Sequence, residues 1–206
     1  MTPPERRLPI DAPAARAVVL LRHAEKPDPG AGVQGVDERG RRDDASLAVR
    51  GWQRAGALAH WLAPGDAPPR FGAPSALFAA PSTPRHTSRR PWQTLVPLAR
   101  ALSLEIRGDI DDDFPDRAAA LLLAAAGTVV ACGRHDALPA LAHALARRLA
   151  CDAGTIPIDW PAGRFDVAWL FDRAATGGAW RFAQVPQRLL DGDAPHGIDA
   201  GSIHTV

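Results

Sequence analysis

The chain has 206 residues, 46% of them apolar, which suffices for one domain with a core that is stable unaided. Its 24 Lys and Arg residues nearly balance its 23 Asp and Glu residues, which argues against a nucleic-acid binder, since such proteins carry a strong basic excess. Neither Cys132 nor Cys151 has a metal-binding or disulfide-framework spacing. Without a signal-peptide pattern or a membrane-spanning run, we expect a soluble, cytoplasmic protein with no membrane partner.

Strands and helices alternate along the predicted single domain, which spans 1–206 with a loose N-terminal arm at 1–15 and a tail at 191–206. Buried strands are predicted at 17–21, 76–79 and 128–132, and a brief strand at 104–106. Helices are predicted at 47–62, 91–102, 115–126 and 137–150. We expect Ser46 to cap the first helix and Pro97 to weaken or kink the second. Residues 27–46 are rich in Gly, Asp and Pro and form a long loop.

The C-terminal part differs, because the strand-like segments 164–171 and 179–185 are joined by a glycine-containing loop. These segments predict an antiparallel hairpin at the sheet edge, which Trp160, Trp169 and Trp180 pack onto the sheet. The predicted fold class is therefore α/β, a three-layer α/β/α arrangement with a mainly parallel sheet and this hairpin at its edge.

Arg22, His23 and Lys26 directly follow the first predicted strand, at the edge of the sheet where ligands bind in open α/β folds. Neutral imidazole attacks phosphorus well if an acceptor holds its other nitrogen and nearby cations neutralise the phosphate. Arginine suits the second task because its planar fork holds two oxygens at once. Lys26 is the only lysine of the chain. The simpler alternative is a surface loop with scattered charges.

An arginine and a second histidine follow two further predicted strands. Arg90 lies near the start of the second predicted helix, where backbone N–H groups favour anions, and His135 follows the strand that ends near Cys132. If the strands are parallel, His23, Arg90 and His135 emerge at one edge of the sheet. The adjacent Arg89 is an alternative to Arg90 as the arginine that binds the anion.

These segments resemble the histidine phosphatase superfamily, which has the phosphoglycerate mutase-like fold. The first motif, Leu-Leu-Arg-His-Ala-Glu-Lys-Pro at 20–27, is similar to that of small bacterial members. Arg-Pro-Trp-Gln-Thr at 90–94 and Leu-Ala-Val-Arg-Gly-Trp-Gln-Arg-Ala at 47–55 resemble two further family segments, and the likeness covers about 17–150. The resemblance implies that His23 attacks the phosphoryl group, while Arg22, Arg90 and His135 bind its oxygens. The Gln-Thr spacing favours Arg90 over Arg89.

The acid that protonates the leaving group stays open. The resemblance offers Asp136, directly after the second His, or a residue of the acidic run Asp109, Asp111, Asp112 and Asp113, and some small relatives have no dedicated acid. The acidic run lacks the Gly and the distal Glu of a calcium loop, and the sequence has neither an HExxH zinc motif nor a GxxxxGK(S/T) phosphate loop. We therefore expect no metal and no other cofactor. His86 precedes Arg90 and can border the pocket.

The predicted function is a phosphatase that hydrolyses a phosphomonoester or a phosphohistidine through a phosphohistidine intermediate. The alternatives are a non-enzymatic phosphate- or phosphoprotein-binding module and a mutase-like phosphoryl transferase. The expected partner is a small phosphorylated substrate or a phosphoprotein, and the sequence decides neither between monomer and dimer nor the substrate. Specificity is expected from the loops at 27–46, 80–89 and 109–116, since loops above a site vary with the ligand.

Overall fold

The computed structural model describes residues 13–63, 71–173 and 177–200, so most of the predicted arm and the end of the predicted tail lie outside it. Its strands are β1 Ala15–Arg22, β2 Pro74–Ala79, β3 Ile106–Arg107, β4 Gly127–Gly133, β5 Val167–Asp172 and β6 Arg181–Pro186. Its helices are α1 Val49–Leu62, α2 Arg90–Leu102, α3 Pro115–Ala124 and α4 Leu138–Leu149, with a 3₁₀ turn at Pro29–Ala31. No helix within the described ranges combines the length and the hydropathy needed to cross a bilayer.

The strands form one sheet in the order β3-β2-β4-β1-β5-β6. Pairing is parallel between β1 and β4, β4 and β2, and β2 and β3, whereas β5 is antiparallel to β1 and β6 is antiparallel to β5. The predicted mainly parallel sheet with a C-terminal edge hairpin is confirmed. The parallel strands β1, β2 and β4 consequently end at one edge of the sheet, where the loops carrying the predicted site residues begin.

Both faces of the sheet are covered. Val18 and Leu20 of β1 pack into a cluster with apolar residues of α3 and α4, and Val19 and Leu21 pack into a second cluster with residues of α1 and α2. Successive side chains of a strand point to opposite faces, so the unbroken apolar run of β1 is what a sheet between two helical layers requires. The three-layer prediction is correct.

One local prediction, the Ser46 cap, is wrong. Ser46 does not cap α1: the helix begins at Val49 after Ala48, and the Ser46 hydroxyl donates to Asp43 and accepts from Gln93 Nε2. Ser46 lies two residues too early for the cap, because 47–48 are still extended in the loop. Helix α2 runs without interruption across Pro97.

The hairpin β5–β6 is packed by aromatic rings, as predicted. The Trp169 ring lies 4.5 Å from that of Trp160 and 5.7 Å from that of Phe182, measured between centroids. The Trp160 indole N–H donates to the carbonyl oxygen of Arg164, which fixes the segment just before β5. This segment reaches the end of β1 and contributes to the site described next.

Candidate active site

The five residues predicted from the sequence line one cleft of about 490 Å³ at the carboxyl ends of the parallel strands. Arg22 ends β1, His23 and Lys26 follow it, Arg90 begins α2, and His135 follows β4. The same cleft is also lined by Asp44, Ala45, His86, Thr87, Ser88, Arg134 and Asp136. The structure therefore brings together the side chains that the three separate sequence segments supplied, and it places His86 at the cleft as expected.

His23 is buried, with 5% of its surface exposed, and its backbone N–H extends the β1–β4 ladder by donating to Gly133. Its Nδ1 lies 2.8 Å from the carbonyl oxygen of Ala24. A carbonyl oxygen only accepts, so Nδ1 carries the ring proton and Nε2 keeps a free lone pair. Burial, assisted by the charges of Arg22 and Arg90, lowers the pKa of His23 to about 3, so the ring is neutral at physiological pH.

Arg22 is a buried cation that is only partly paired. Its Nη1 donates to the carbonyl oxygens of Pro161 at 3.0 Å and Arg164 at 2.7 Å, and its guanidinium carbon lies 3.8 Å from the centroid of the Phe165 ring. Its Nε and Nη2 have no hydrogen-bond partner within the described part of the chain. Burial lowers the pKa of Arg22 to about 10, so it remains charged at neutral pH. Buried unpaired N–H groups are costly, and an anion would satisfy them.

Arg90 is held by the loop that precedes α1. Its Nε donates to the carbonyl oxygen of Ser46 at 3.2 Å, its Nη2 to that of Asp44 at 2.8 Å, and its Nη1 to the hydroxyl of Ser88 at 3.2 Å. The neighbouring Arg89 pairs with the Asp43 carboxylate and does not line the cleft. Of the two adjacent arginines, Arg90 is the one at the candidate site.

His135 and Lys26 complete the set of predicted site residues in the cleft. His135 is half-buried, and burial followed by the nearby charge of Arg22 lowers its pKa, so its ring is neutral above that lowered value. Lys26 is exposed at the rim. Neutral imidazole still donates one hydrogen bond, and the ammonium group of Lys26 adds charge without a fixed geometry. Among the described residues, no three His, Cys, Asp or Glu side chains are grouped in a way that would hold a metal ion.

The carboxylate candidates differ in their surroundings. Asp136 lines the cleft, and although burial acts in the opposite direction, its hydrogen bond with Arg134 at 3.0 Å keeps its pKa below the usual range. Asp112 lies in the wall of a neighbouring cleft of about 410 Å³, which shares His86 and Arg134 with the first. Burial raises the pKa of Asp112 to about 6, although Arg134 lies 3.8 Å away.

The other carboxylates of the acidic run form hydrogen bonds or ion pairs outside the cleft of His23. The Asp109 carboxylate accepts from Arg107 at 2.6 Å, and it lines neither cleft. The Asp111 carboxylate accepts from the backbone N–H of Asp113, and the Asp113 carboxylate lies 3.8 Å from Arg85. Of this run, Asp112 is the half-buried carboxyl group with a raised pKa.

Comparison with solved structures finds the protein histidine phosphatase SixA, in a structure of its complex with tungstate. The two chains are 16% identical, the match covers 83% of this chain and 97% of SixA, and the TM-score is 0.50. The chain has the fold of SixA. The resemblance to the histidine phosphatases is thus confirmed at the level of the fold.

A further match is the structure of the functionally characterised open reading frame Rv3214 from Mycobacterium tuberculosis. It is 14% identical, the match covers 84% of this chain and 97% of that one, and the TM-score is 0.46. No family model and no curated protein matches the chain.

Gln93 and Thr94 hold the loops of the site in place. They were not predicted as site residues, although the motif at 90–94 that contains them was recognised. Thr94 Oγ1 accepts from the backbone N–H of Ala24 at 2.9 Å, and Gln93 Oε1 accepts from the backbone N–H of Leu47 at 3.0 Å. The available signal was the pair of polar residues on the otherwise apolar face of α2. Arg134, which lines both clefts, stands directly before a histidine at a strand end, just as Arg22 does.

Proposed function

We propose that the chain is a phosphatase that needs no metal ion and hydrolyses a phosphomonoester or a phosphohistidine through a covalent phosphohistidine on His23. The observation that carries this proposal is the juxtaposition, in one cleft, of a buried neutral imidazole with Arg22; among the described residues, neither Nε2 of His23 nor Nε and Nη2 of Arg22 has a hydrogen-bond partner. The tungstate in the SixA structure supports it, because tungstate, like phosphate, is a tetrahedral oxyanion.

In the proposed reaction, Nε2 of His23 attacks the phosphorus, and the N–P bond forms as the bond to the leaving group breaks. The leaving group departs with the electron pair of that bond and takes up a proton. Arg22, Arg90 and His135 hold the remaining oxygens of the phosphoryl group and stabilise their charge, the task that a metal ion performs in other phosphatases. Water then attacks the phosphohistidine, which releases inorganic phosphate and restores neutral His23.

In this proposal, Asp112 is the candidate acid for the leaving group; it lines the neighbouring cleft, which shares His86 and Arg134 with the cleft of His23. Its raised pKa of about 6 leaves a fraction of the carboxyl group protonated near neutral pH, as a general acid requires. Asp136 lies in the cleft itself, but its contact with Arg134 favours the ionised form, which cannot donate. Its charge instead offsets part of the cationic charge that surrounds the phosphate.

Turnover of p-nitrophenyl phosphate in excess chelator tests the proposal. We expect phosphate release by the wild type and its loss in His23→Ala, while His60→Ala, an exposed change on α1, serves as the matched control. A quenched reaction should contain protein-bound phosphate that is labile in acid and stable in alkali, as phosphohistidine is.

Two other outcomes would replace the proposal by its alternatives. Phosphate binding without turnover, with either small esters or phosphohistidine peptides, would support the binding module. Transfer of the phosphoryl group to an added alcohol acceptor, with little release to water, would support the mutase-like transferase.

A further inference from the structure

Arg54, on the inner face of α1, is a buried cation held between two carboxylates, with 2% of its surface exposed. Its Nε donates to both carboxylate oxygens of Glu25, at 3.0 and 3.1 Å, and its Nη2 to Glu25 at 2.8 Å and to Asp193 at 2.7 Å. Its Nη1 donates to Asp193 and to Gln187, both at 3.0 Å. Every nitrogen of the guanidinium is therefore engaged, as a buried arginine requires.

Glu25 belongs to the loop that carries His23. A Cβ atom at Gly51 would clash with the carbonyl oxygen of Glu25, so α1 approaches this loop as closely as a glycine permits. The preceding residue, Ala24, is tied to α2 through Thr94 and accepts the hydrogen bond from Nδ1 of His23. The carbonyl group that sets the tautomer of His23 thus lies between two anchored points, one of which is the Glu25 side chain on Arg54.

The charge of Glu25 also bears on the anion site. Burial lowers the pKa of Arg22, and Glu25 is near enough to oppose that effect. Without Arg54, the partner left to the Glu25 carboxylate would be Arg50, which lies 3.4 Å away and is half-exposed. Nε and Nη2 of Arg22, which have no partner in the described part of the chain, would then attract this carboxylate. It would compete for them with phosphate, because both anions accept two parallel hydrogen bonds from a guanidinium.

We propose that Arg54 is a positioning residue of the anion site, which fixes the loop carrying His23 and keeps the Glu25 carboxylate away from Arg22. This inference rests on the proposed function only for the identity of the anion. Its test is therefore the dissociation constant of inorganic phosphate, measured by calorimetry on the full chain, which needs no turnover.

Arg54→Met is expected to weaken phosphate binding by about tenfold or more, because the competing carboxylate would take at least one charge-assisted hydrogen bond from the phosphate. Adding Glu25→Gln to Arg54→Met should restore the affinity to within about threefold, because the competing charge is gone. Leu58→Ala, a buried change on the same helix, should lower the Tm while the phosphate affinity stays within about twofold.

The proposal is overturned if Arg54→Met binds phosphate as the wild type does, or if Leu58→Ala weakens binding equally. It is also overturned if adding Glu25→Gln does not restore the phosphate affinity. Should Arg54→Met fail to fold, Arg54→Lys keeps the charge but loses the planar fork. We then expect weaker phosphate binding in Arg54→Lys and its recovery in Arg54→Lys/Glu25→Gln, and an unchanged affinity in Arg54→Lys overturns the proposal. If the wild type binds phosphate but hydrolyses no ester, the proposed function is wrong, whereas this test of Arg54 still applies.

Discussion

Thr94 Oγ1 accepts a hydrogen bond from the backbone N–H of Ala24 at 2.9 Å and donates its own proton to the carbonyl oxygen of Arg90 at 2.7 Å. One buried hydroxyl group thus joins the residue after His23 to the first residue of α2. The distance between the proposed nucleophile and Arg90 depends on this link. Because the three groups come from the loop after β1 and from α2, far apart in sequence, only the fold brings them together.

The change Thr94→Val keeps the shape of the side chain and removes both hydrogen bonds. It leaves the backbone N–H of Ala24 buried without a partner, which costs about 1–3 kcal/mol. We expect the free energy of unfolding to fall by that amount and kcat/KM for p-nitrophenyl phosphate to fall about tenfold, since misplaced catalytic groups lose rate. Thr155→Val, an exposed change near β6, is the control. Unchanged kcat/KM in a Thr94→Val protein of lowered stability would contradict the positioning role.

Arg89 and Arg90 form a natural pair of variants, being adjacent and chemically identical. Arg90→Ala should lower kcat/KM by about 10²–10³, the usual cost of removing one preorganised donor to transition-state charge. Arg89→Ala should change it less than about threefold, because an exposed ion pair such as Arg89–Asp43 contributes little. The two kinetic measurements are made on the same ester, and equal losses in both variants would contradict the assignment of Arg90.

Much of this site could be predicted because its residues follow strands that the sequence marks clearly. The unbroken apolar run of β1 predicts a strand between two helical layers, and parallel pairing with β4 then brings His23 and His135 to one edge. Arg90 was placed correctly because it starts a helix after β2. These inferences need only local pattern and the direction of the strands.

The loop contacts could not be predicted, because they depend on side chains far apart in sequence. Ser46 was predicted to cap a helix, yet its hydroxyl accepts a hydrogen bond from Gln93, 47 residues away. Arg54 reads as a surface residue of an amphipathic helix, and only the fold brings Glu25 and Asp193 to it. Nothing local distinguishes such an arginine from an exposed one.

The lowered pKa of His23 predicts a particular loss of stability in acid. Between its ordinary pKa of 6.5 and its folded value of about 3, the unfolded chain binds a proton that the folded chain excludes. The free energy of unfolding therefore falls as the pH falls through this window, by at most about 1.4 kcal/mol per pH unit from this group. His23→Asn lacks the effect, so its stability relative to the wild type should rise from about pH 7 to about pH 4 in urea titrations. A constant difference would contradict the buried neutral imidazole.

If Asp112 is the general acid, its loss should affect alkyl phosphates and p-nitrophenyl phosphate differently. An alkyl phosphate needs a proton on its leaving oxygen, whereas p-nitrophenolate leaves without one. Because the pKa of Asp112 is raised to about 6, its protonated fraction falls above that pH, and kcat/KM for the alkyl ester should fall with it. Asp112→Asn should lower the alkyl rate by about 10²-fold or more and p-nitrophenyl phosphate hydrolysis only slightly. Asp113→Asn, a more exposed neighbour, is the control, and equal losses for both esters would exclude Asp112 as the acid.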